Sequence, residues 1–216
     1  MAFTKIERNR VAIIGASGYG GLQLVKLLSD HPIFEITYLG GEKSAGKSWN
    51  DLNPFINLEN DQTIVSPDIE DIAKVADYVI LSLPNGLSSQ LTPLLLGKGL
   101  RVLDLSADYR FKSLKKWKQV YTNESQKYPR TDTQLCEEAV YGFSEEFNTE
   151  ISESRLVACP GCYPTASLSL LIPFIKQGLI DHEGIVIDAK SGTSGGGRKP
   201  LEQLLLAESS ESVSPT

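Results

Sequence analysis

RVAIIGASGYGG, residues 10–21, decides the fold. Arg10 to Ile14 is a short apolar run of the kind that forms a buried strand, and Leu24, Leu27 and Leu28 then recur at helical spacing until Asp30-His31-Pro32 stops them. Between the two lies a turn with Gly15, Gly18 and Gly21 at intervals of three. Strand, glycine-rich turn and helix form the context in which such glycines carry meaning. They let the turn tighten and let backbone N–H groups approach a diphosphate at the helix N-terminus. Gly15, Ser17, Gly18, Tyr19 and Gly20 are therefore candidate dinucleotide-binding residues; the alternative is a plain tight turn.

A second strand is expected over Phe34 to Leu39, followed by Gly40-Gly41-Glu42-Lys43-Ser44-Ala45-Gly46-Lys47. An acidic residue here suits the free 2′-hydroxyl of NAD, whereas cations suit the 2′-phosphate of NADP. Glu42 fits the first role; Lys43, Ser44 and Lys47 fit the second and outnumber it, which favours NADP. Asp77 to Leu83 is a third strand closing on Pro84-Asn85-Gly86, with a helix over Ser88 to Leu96 and a strand over Leu100 to Leu105 behind it. Ligands of open α/β sheets lie beyond the carboxyl ends of the strands, so Pro84 and Gly86 should border the cofactor. The next strand ends in Ser106-Ala107-Asp108-Tyr109-Arg110, where Arg110 is either an anion anchor or one half of a surface ion pair. Residues 111–139 read as an irregular charged excursion in which Lys115, Lys116 and Lys118 form a solvated helix face, and a polar segment over 144–154 places a domain boundary near residue 150.

Leu156-Val157-Ala158 then reads as a strand end, Cys159-Pro160-Gly161-Cys162 as a turn, and Leu168, Leu171, Ile172 and Ile175 as the apolar face of a helix opened by Pro164. Cys162 thus stands at a helix N-terminus, where unpaired N–H groups and the helix dipole favour a thiolate and could receive a developing oxyanion. The alternatives are a small buried structural cysteine, or a redox or zinc-binding pair with Cys159. Beyond it, Gly184 to Ala189 suggests a strand, SGTSGGGRK over 191–199 a loop allowing close backbone approach to a ligand, and Leu201 to Ala207 a short helix. One strand cannot close a sheet, so this second unit is expected to be incomplete, with an open edge and partial disorder beyond Ser191.

The remaining features narrow the class. The 216 residues carry a net charge of −6 with no basic face, which argues against nucleic acid as a partner. No apolar run is long enough to span a membrane, the N-terminus lacks a signal-peptide core, and three cysteines make no secreted disulfide framework, so a cytoplasmic protein is expected. Neither His31 nor His182 has neighbours suggesting a metal site, and none is expected.

GASGYGG at 15–21, DLSADYR at 104–110, YGFSEE at 141–146, PGCYPTA at 160–166 and SGTSGGGRK at 191–199, in this order, resemble the N-acetyl-γ-glutamyl-phosphate reductases. The resemblance runs from Val11 to the end of the chain. It implies an α/β protein, with a Rossmann-like doubly wound parallel sheet over 1–150 that binds NADP. The start of a catalytic and dimerisation domain, similar to that of glyceraldehyde-3-phosphate dehydrogenase, follows over 151–216. It implies catalytic Cys162, and cofactor contacts from Gly15, Ser17, Gly18, Tyr19, Gly20, Ser44, Lys47, Pro84, Gly86, Ser191, Gly192 and Gly195. Arg110 and Tyr163 are the implied substrate contacts, an acyl phosphate the substrate, and a homo-oligomer the assembly. The sequence departs from the pattern in having Cys159 where the family often has Asn and Asn85 where it usually has His. The family's histidine acid/base, in a motif like HRHTPE, is expected beyond Thr216.

Overall fold

The computed structural model describes residues 8–198. β1 (Asn9–Ile14) lies inside a sheet, and its residues alternate between two buried clusters, Val11 and Ile13 in one, Ala12 and Ile14 in the other. A strand covered on both faces has no polar side, which is why residues 11–14 are uninterruptedly apolar. α1 (Tyr19–Leu28) follows, then β2 (Phe34–Gly40), a single 3₁₀ turn over Glu42–Ser44, α2 (Trp49–Leu52), α3 (Ile69–Val75), β3 (Tyr78–Leu81), α4 (Ser88–Gly97) and β4 (Arg101–Asp104). The chain continues through α5 (Leu114–Val120), α6 (Thr122–Lys127), α7 (Thr133–Glu138), β5 (Val140–Tyr141), α8 (Ser144–Glu153), β6 (Leu156–Ala158) and α9 (Cys162–Lys176). The six strands pair in the order β2-β1-β3-β4-β6-β5, every pair parallel. Beyond β2, one parallel bridge from Gly40 to Val65 stands where a further strand would lie.

The direction of winding reverses between β1 and β3, and at such a reversal the connections leave to opposite faces and open a crevice at the carboxyl ends. The glycine turn leaves β1 at that point. The excursion over 111–139 is more regular than its sequence suggests. In α5, Leu114 and Trp117 are buried three residues apart while Lys115, Lys116 and Lys118 face water, and Trp117, Cys136 and Ala139 complete the cluster under β4 and β6.

Three further features bear on the expected organisation. The polar segment over 144–154 is α8, whose first turn carries Glu145 and Glu146, where a helix dipole favours acids. The strand leading to Cys162 pairs with β4 and β5 and so belongs to the first sheet, which carries that sheet past residue 150. Gly184 to Ala189 forms no strand: the segment is exposed, and among the described residues no strand lies beside it to pair with. The expected helix over Leu201 to Ala207 lies outside the described residues. Leu170 and Phe174 of α9, and Leu179, Val186 and Ile187 beyond it, present apolar surface to solvent.

Candidate active site

The glycine turn is built against the end of β3. Gly15 has φ +87°, and a Cβ there would overlap the Ser82 carbonyl oxygen; a Cβ on Gly20 would come 2.5 Å from Ser82 Oγ. The N–H groups of Gly15 and Ala16 both donate to the Gly40 carbonyl, at 2.9 and 3.1 Å, tying the turn to the end of β2. Gly18 caps α1 with extended backbone and no side-chain bond, and no acidic residue occupies the first turn. Among the described residues no acceptor takes the N–H of Ser17, Tyr19 or Gly20. Open donors, absent acids and room created by missing Cβ atoms together fit the diphosphate of a dinucleotide.

At the β2 end, Glu42 accepts a hydrogen bond from Ser66 Oγ at 2.7 Å, while Lys43 and Lys47 are exposed with no ion pair among the described residues. Ser44 is half-buried in the same turn, which approaches the glycine loop: a Cβ on Gly41 would lie 3.5 Å from Ser17 Oγ. The 191–198 segment also reaches that loop. Its 3₁₀ turn, Thr193–Gly196, is followed by Arg198, whose Nη1 donates to the Ser17 carbonyl at 2.6 Å and whose guanidinium lies 5.7 Å from the Tyr19 ring centroid. Ser191, Gly192 and Gly195 are exposed, and the contact to the loop is made by Arg198, which the sequence reading left unassigned.

Pro84-Asn85-Gly86 is held from beneath. Gly86 has φ +88° and its α-carbon faces the Tyr128 ring so closely that a Cβ would overlap it. Its N–H donates to Asp108 Oδ1 at 2.6 Å, and Ser89 N–H donates to Oδ2 at 2.9 Å. The Asn85 side chain accepts from Ala107 N–H at 2.9 Å, a structural use of the position where histidine was expected.

Cys162 is the first residue of α9 and exposed. Gly161 caps the helix with extended backbone and no side-chain bond, and neither the Cys162 nor the Tyr163 N–H has an acceptor among the described residues. Cys159 differs in every respect. It is half-buried, its N–H is held by the Asp104 carbonyl at 2.8 Å, and burial, with the nearby Asp104 carboxylate, pushes its thiol up to about 11. Both thiols are free. Burial thus disfavours a thiolate at Cys159 and leaves the exposed Cys162 as the candidate nucleophile. Among the described residues no cluster of His, Cys, Asp and Glu is placed to hold a metal ion.

Arg110 is no surface ion pair. Its Nε donates to the Cys159 carbonyl at 2.7 Å and Nη2 to the Leu105 carbonyl at 2.8 Å, and a Cβ on Gly161 would lie 3.1 Å from Nη1. The guanidinium therefore spans from the end of β4 to the cysteine turn with donors to spare. Tyr163 is partly exposed in the first turn of α9.

Asp104, fully buried at the end of β4, accepts from Ser106 N–H at 2.9 Å and Ser106 Oγ at 2.8 Å, yet burial still pushes its carboxyl from 3.8 to about 6. A carboxyl raised in the folded state contributes stability below its unfolded pKa, and that contribution is lost as pH rises through the folded value. Its ionisation should cost on the order of 3 kcal/mol between about pH 4 and pH 6. Asp108, the neighbouring carboxylate, and the Cys159 thiol both act in the raising direction or stay neutral there, so neither reverses the sign. Denaturant titrations at several pH values should show this decline in wild type and a clearly smaller one in Asp104→Asn, where only Asp108, whose carboxyl burial also raises, still contributes; equal profiles would remove Asp104 as the cause.

The chain belongs to the semialdehyde dehydrogenase family: its NAD-binding domain matches residues 10–154, and its dimerisation domain matches residues 162–215. Within it, the chain is 70% identical over 215 residues to the N-acetyl-gamma-glutamyl-phosphate reductases of Prochlorococcus marinus strains NATL2A and NATL1A, a match covering all of this chain and 60% of each relative. The chain thus spans about three fifths of the length of these curated relatives. In fold it is similar to aspartate semialdehyde dehydrogenase II of Vibrio cholerae, with TM-score 0.58 and 19% identity over 89% of this chain and 49% of that one.

Proposed function

We propose that the protein reduces N-acetyl-glutamyl 5-phosphate to N-acetyl-glutamate 5-semialdehyde with NADPH, releasing phosphate, through a thioester on Cys162. The observation that carries this reading is the placement of an exposed thiol on the open N-terminus of α9, beside Arg110 and at the carboxyl edge that also holds the glycine turn.

In this reading the Cys162 thiolate attacks the acyl carbon, the carbon–sulfur bond forms, and the bond to phosphate breaks with its electron pair leaving on phosphate. The Cys162 and Tyr163 N–H groups face the developing oxyanion. Arg110 offers its remaining donors to the departing phosphate or the substrate carboxylate, and Tyr163 forms part of the substrate wall. NADPH, when bound, supplies the hydride that reduces the thioester carbonyl. The sulfur then leaves as thiolate and frees the aldehyde. Of the described histidines, His31 accepts from Ile33 and Phe34 N–H at the entry to β2 and His182 lies beside Asp181, so neither is given a part in the proton transfer.

For the cofactor, Gly15, Ser17, Gly18, Tyr19 and Gly20 hold the diphosphate, Ser44 and Lys47 with Lys43 hold the 2′-phosphate, and Pro84 and Gly86 border the far half. Ser191, Gly192 and Gly195 close over it from the second unit. The division into a dinucleotide-binding unit and a catalytic and dimerisation unit is part of the same proposal, with the change of unit placed after Ala158 because β6 completes the first sheet. So are a homo-oligomeric assembly and a cytoplasmic location; among the described residues no helix is long and apolar enough to cross a membrane.

The test is the reverse reaction: N-acetyl-glutamate 5-semialdehyde should reduce NADP⁺ only when inorganic phosphate is present, and a rate independent of phosphate would refute the acyl-phosphate assignment. Cofactor choice has its own test. Replacing Lys43 and Lys47 by alanine should weaken NADPH about tenfold relative to NADH, the modest size expected of exposed charges. Fluorescence titration of both cofactors against both proteins measures it, and an unchanged ratio would remove the reason for naming NADP.

A further inference from the structure

Ser106, Asp108, Tyr109, Trp117 and Arg130, with the half-buried Asp132, make a connected assembly that the proposed chemistry does not use. Arg130 is enclosed, with its guanidinium 4.7 Å from the Tyr109 ring centroid and 4.6 Å from that of Trp117. Nε and Nη2 donate to the two oxygens of Asp132 at 2.9 and 2.8 Å, and Nη1 donates to the Asp108 carbonyl oxygen at 2.6 Å. Asp108 is held a second time through its own N–H, which donates to Ser106 Oγ at 3.1 Å, while Ser106 Oγ donates to Asp104. With its backbone pinned on both sides, the Asp108 carboxylate has one task left, receiving the N–H groups of Gly86 and Ser89. The Ser89 N–H lies in the first turn of α4 and the Gly86 N–H in the turn just before it, and Tyr128 closes that turn from the other side.

The turn it grips begins two residues after Ser82, whose carbonyl and hydroxyl set the positions of Gly15 and Gly20. It also lies on the β3–β4 side of the crevice. In a sheet wound this way the adenosine half extends towards β2, so the turn faces the other half of the dinucleotide.

We propose that Asp108 is a positioning residue for the nicotinamide half of the cofactor, holding the 84–86 turn in its binding shape while Arg130 holds Asp108. The inference rests on the dinucleotide-binding reading above. A buried carboxylate that accepts two backbone N–H groups cannot be replaced by its amide without turning one bond into a donor facing a donor. In Asp108→Asn, either Gly86 or Ser89 loses its acceptor, so the turn is released on one side.

The experiment compares NADP⁺ with adenosine 2′,5′-bisphosphate, which carries only the adenosine end. Binding of both to wild type and Asp108→Asn is followed by calorimetry, well below the unfolding midpoint of each protein. NADP⁺ affinity should fall at least about tenfold in the variant, the size of one charge-assisted hydrogen bond, while the half-ligand changes by less than about twofold. A merely structural role would lower the unfolding midpoint and spare both affinities, or lower both together; either result overturns the inference. Should Asp108→Asn not fold, Tyr128→Ala at the half-buried outer side of the turn decides instead, with the same selective loss for NADP⁺ expected and an unchanged NADP⁺ affinity contradicting it. Wild type that binds neither ligand would sink the dinucleotide reading, and the inference with it.

Discussion

Cys162→Ser should lose at least about 10⁴-fold in turnover, because the nucleophile of the proposed acyl transfer is removed and a serine hydroxyl at the same place has no base to ionise it. Cys159→Ser should retain most of the rate. The contrast follows from where the two sulfurs stand. Cys162 is exposed at the first residue of α9 with unoccupied N–H groups around it, whereas burial pushes Cys159 up to about 11, leaving a thiolate fraction of only about 10⁻⁴ at neutral pH. Steady-state assays of both variants, with unfolding midpoints to show that each is folded, give the comparison. Equal losses, or dependence of the wild-type rate on a disulfide reductant, would instead make the two cysteines a pair.

The largest effect on stability should come from Arg130→Ala, at about 3–5 kcal/mol, because it leaves Asp132 as a buried charge without its partner. The Arg130 side chain is 1% exposed and that of Asp132 14%. Burial works against both charges, yet their mutual hydrogen bonds hold the arginine pKa above and the aspartate pKa below the ordinary values. The same substitution also empties the space between Tyr109 and Trp117. Denaturant unfolding measures the loss. Replacing both partners, as in Arg130→Met with Asp132→Leu, should cost much less than Arg130→Ala alone, since no lone charge then remains. A single-variant loss below about 1 kcal/mol would mean that Asp132 reaches water once Arg130 is gone.

The parts of the fold that were legible in the sequence are those whose local chemistry admits one solution. Residues 10–21 could hardly be other than strand, tight turn and helix, since Gly15 takes a conformation that disfavours side chains and Gly20 and Gly21 pack where a Cβ would collide. The cysteine turn was legible for a similar reason: Gly161 and Pro164 mark a helix start independently of anything distant. Contacts across sequence left no such mark. Arg130 and Asp132 stand in a charged stretch with no local mark of burial, and only the fold brings Arg130 against Tyr109 and Trp117. The polar DLSADYR cluster was visible, but Asp108 could not be separated from its neighbours, because its partners, Gly86 and Ser89, lie about twenty residues away. Gly184 to Ala189 failed in the opposite direction. Its pattern is that of a strand, but a strand is a relation to a neighbour, and a run of apolar residues does not supply one.

Trapping the acyl group on sulfur tests the thioester directly. Protein incubated with N-acetyl-glutamate 5-semialdehyde and NADP⁺ without phosphate, then quenched in acid and digested, should carry one N-acetyl-glutamyl group on the peptide containing Cys162. Phosphate added before the quench should remove it, and Cys162→Ser should never acquire it. An acyl group on Cys159, or formation of NADPH with no acyl group on either cysteine, would contradict the account.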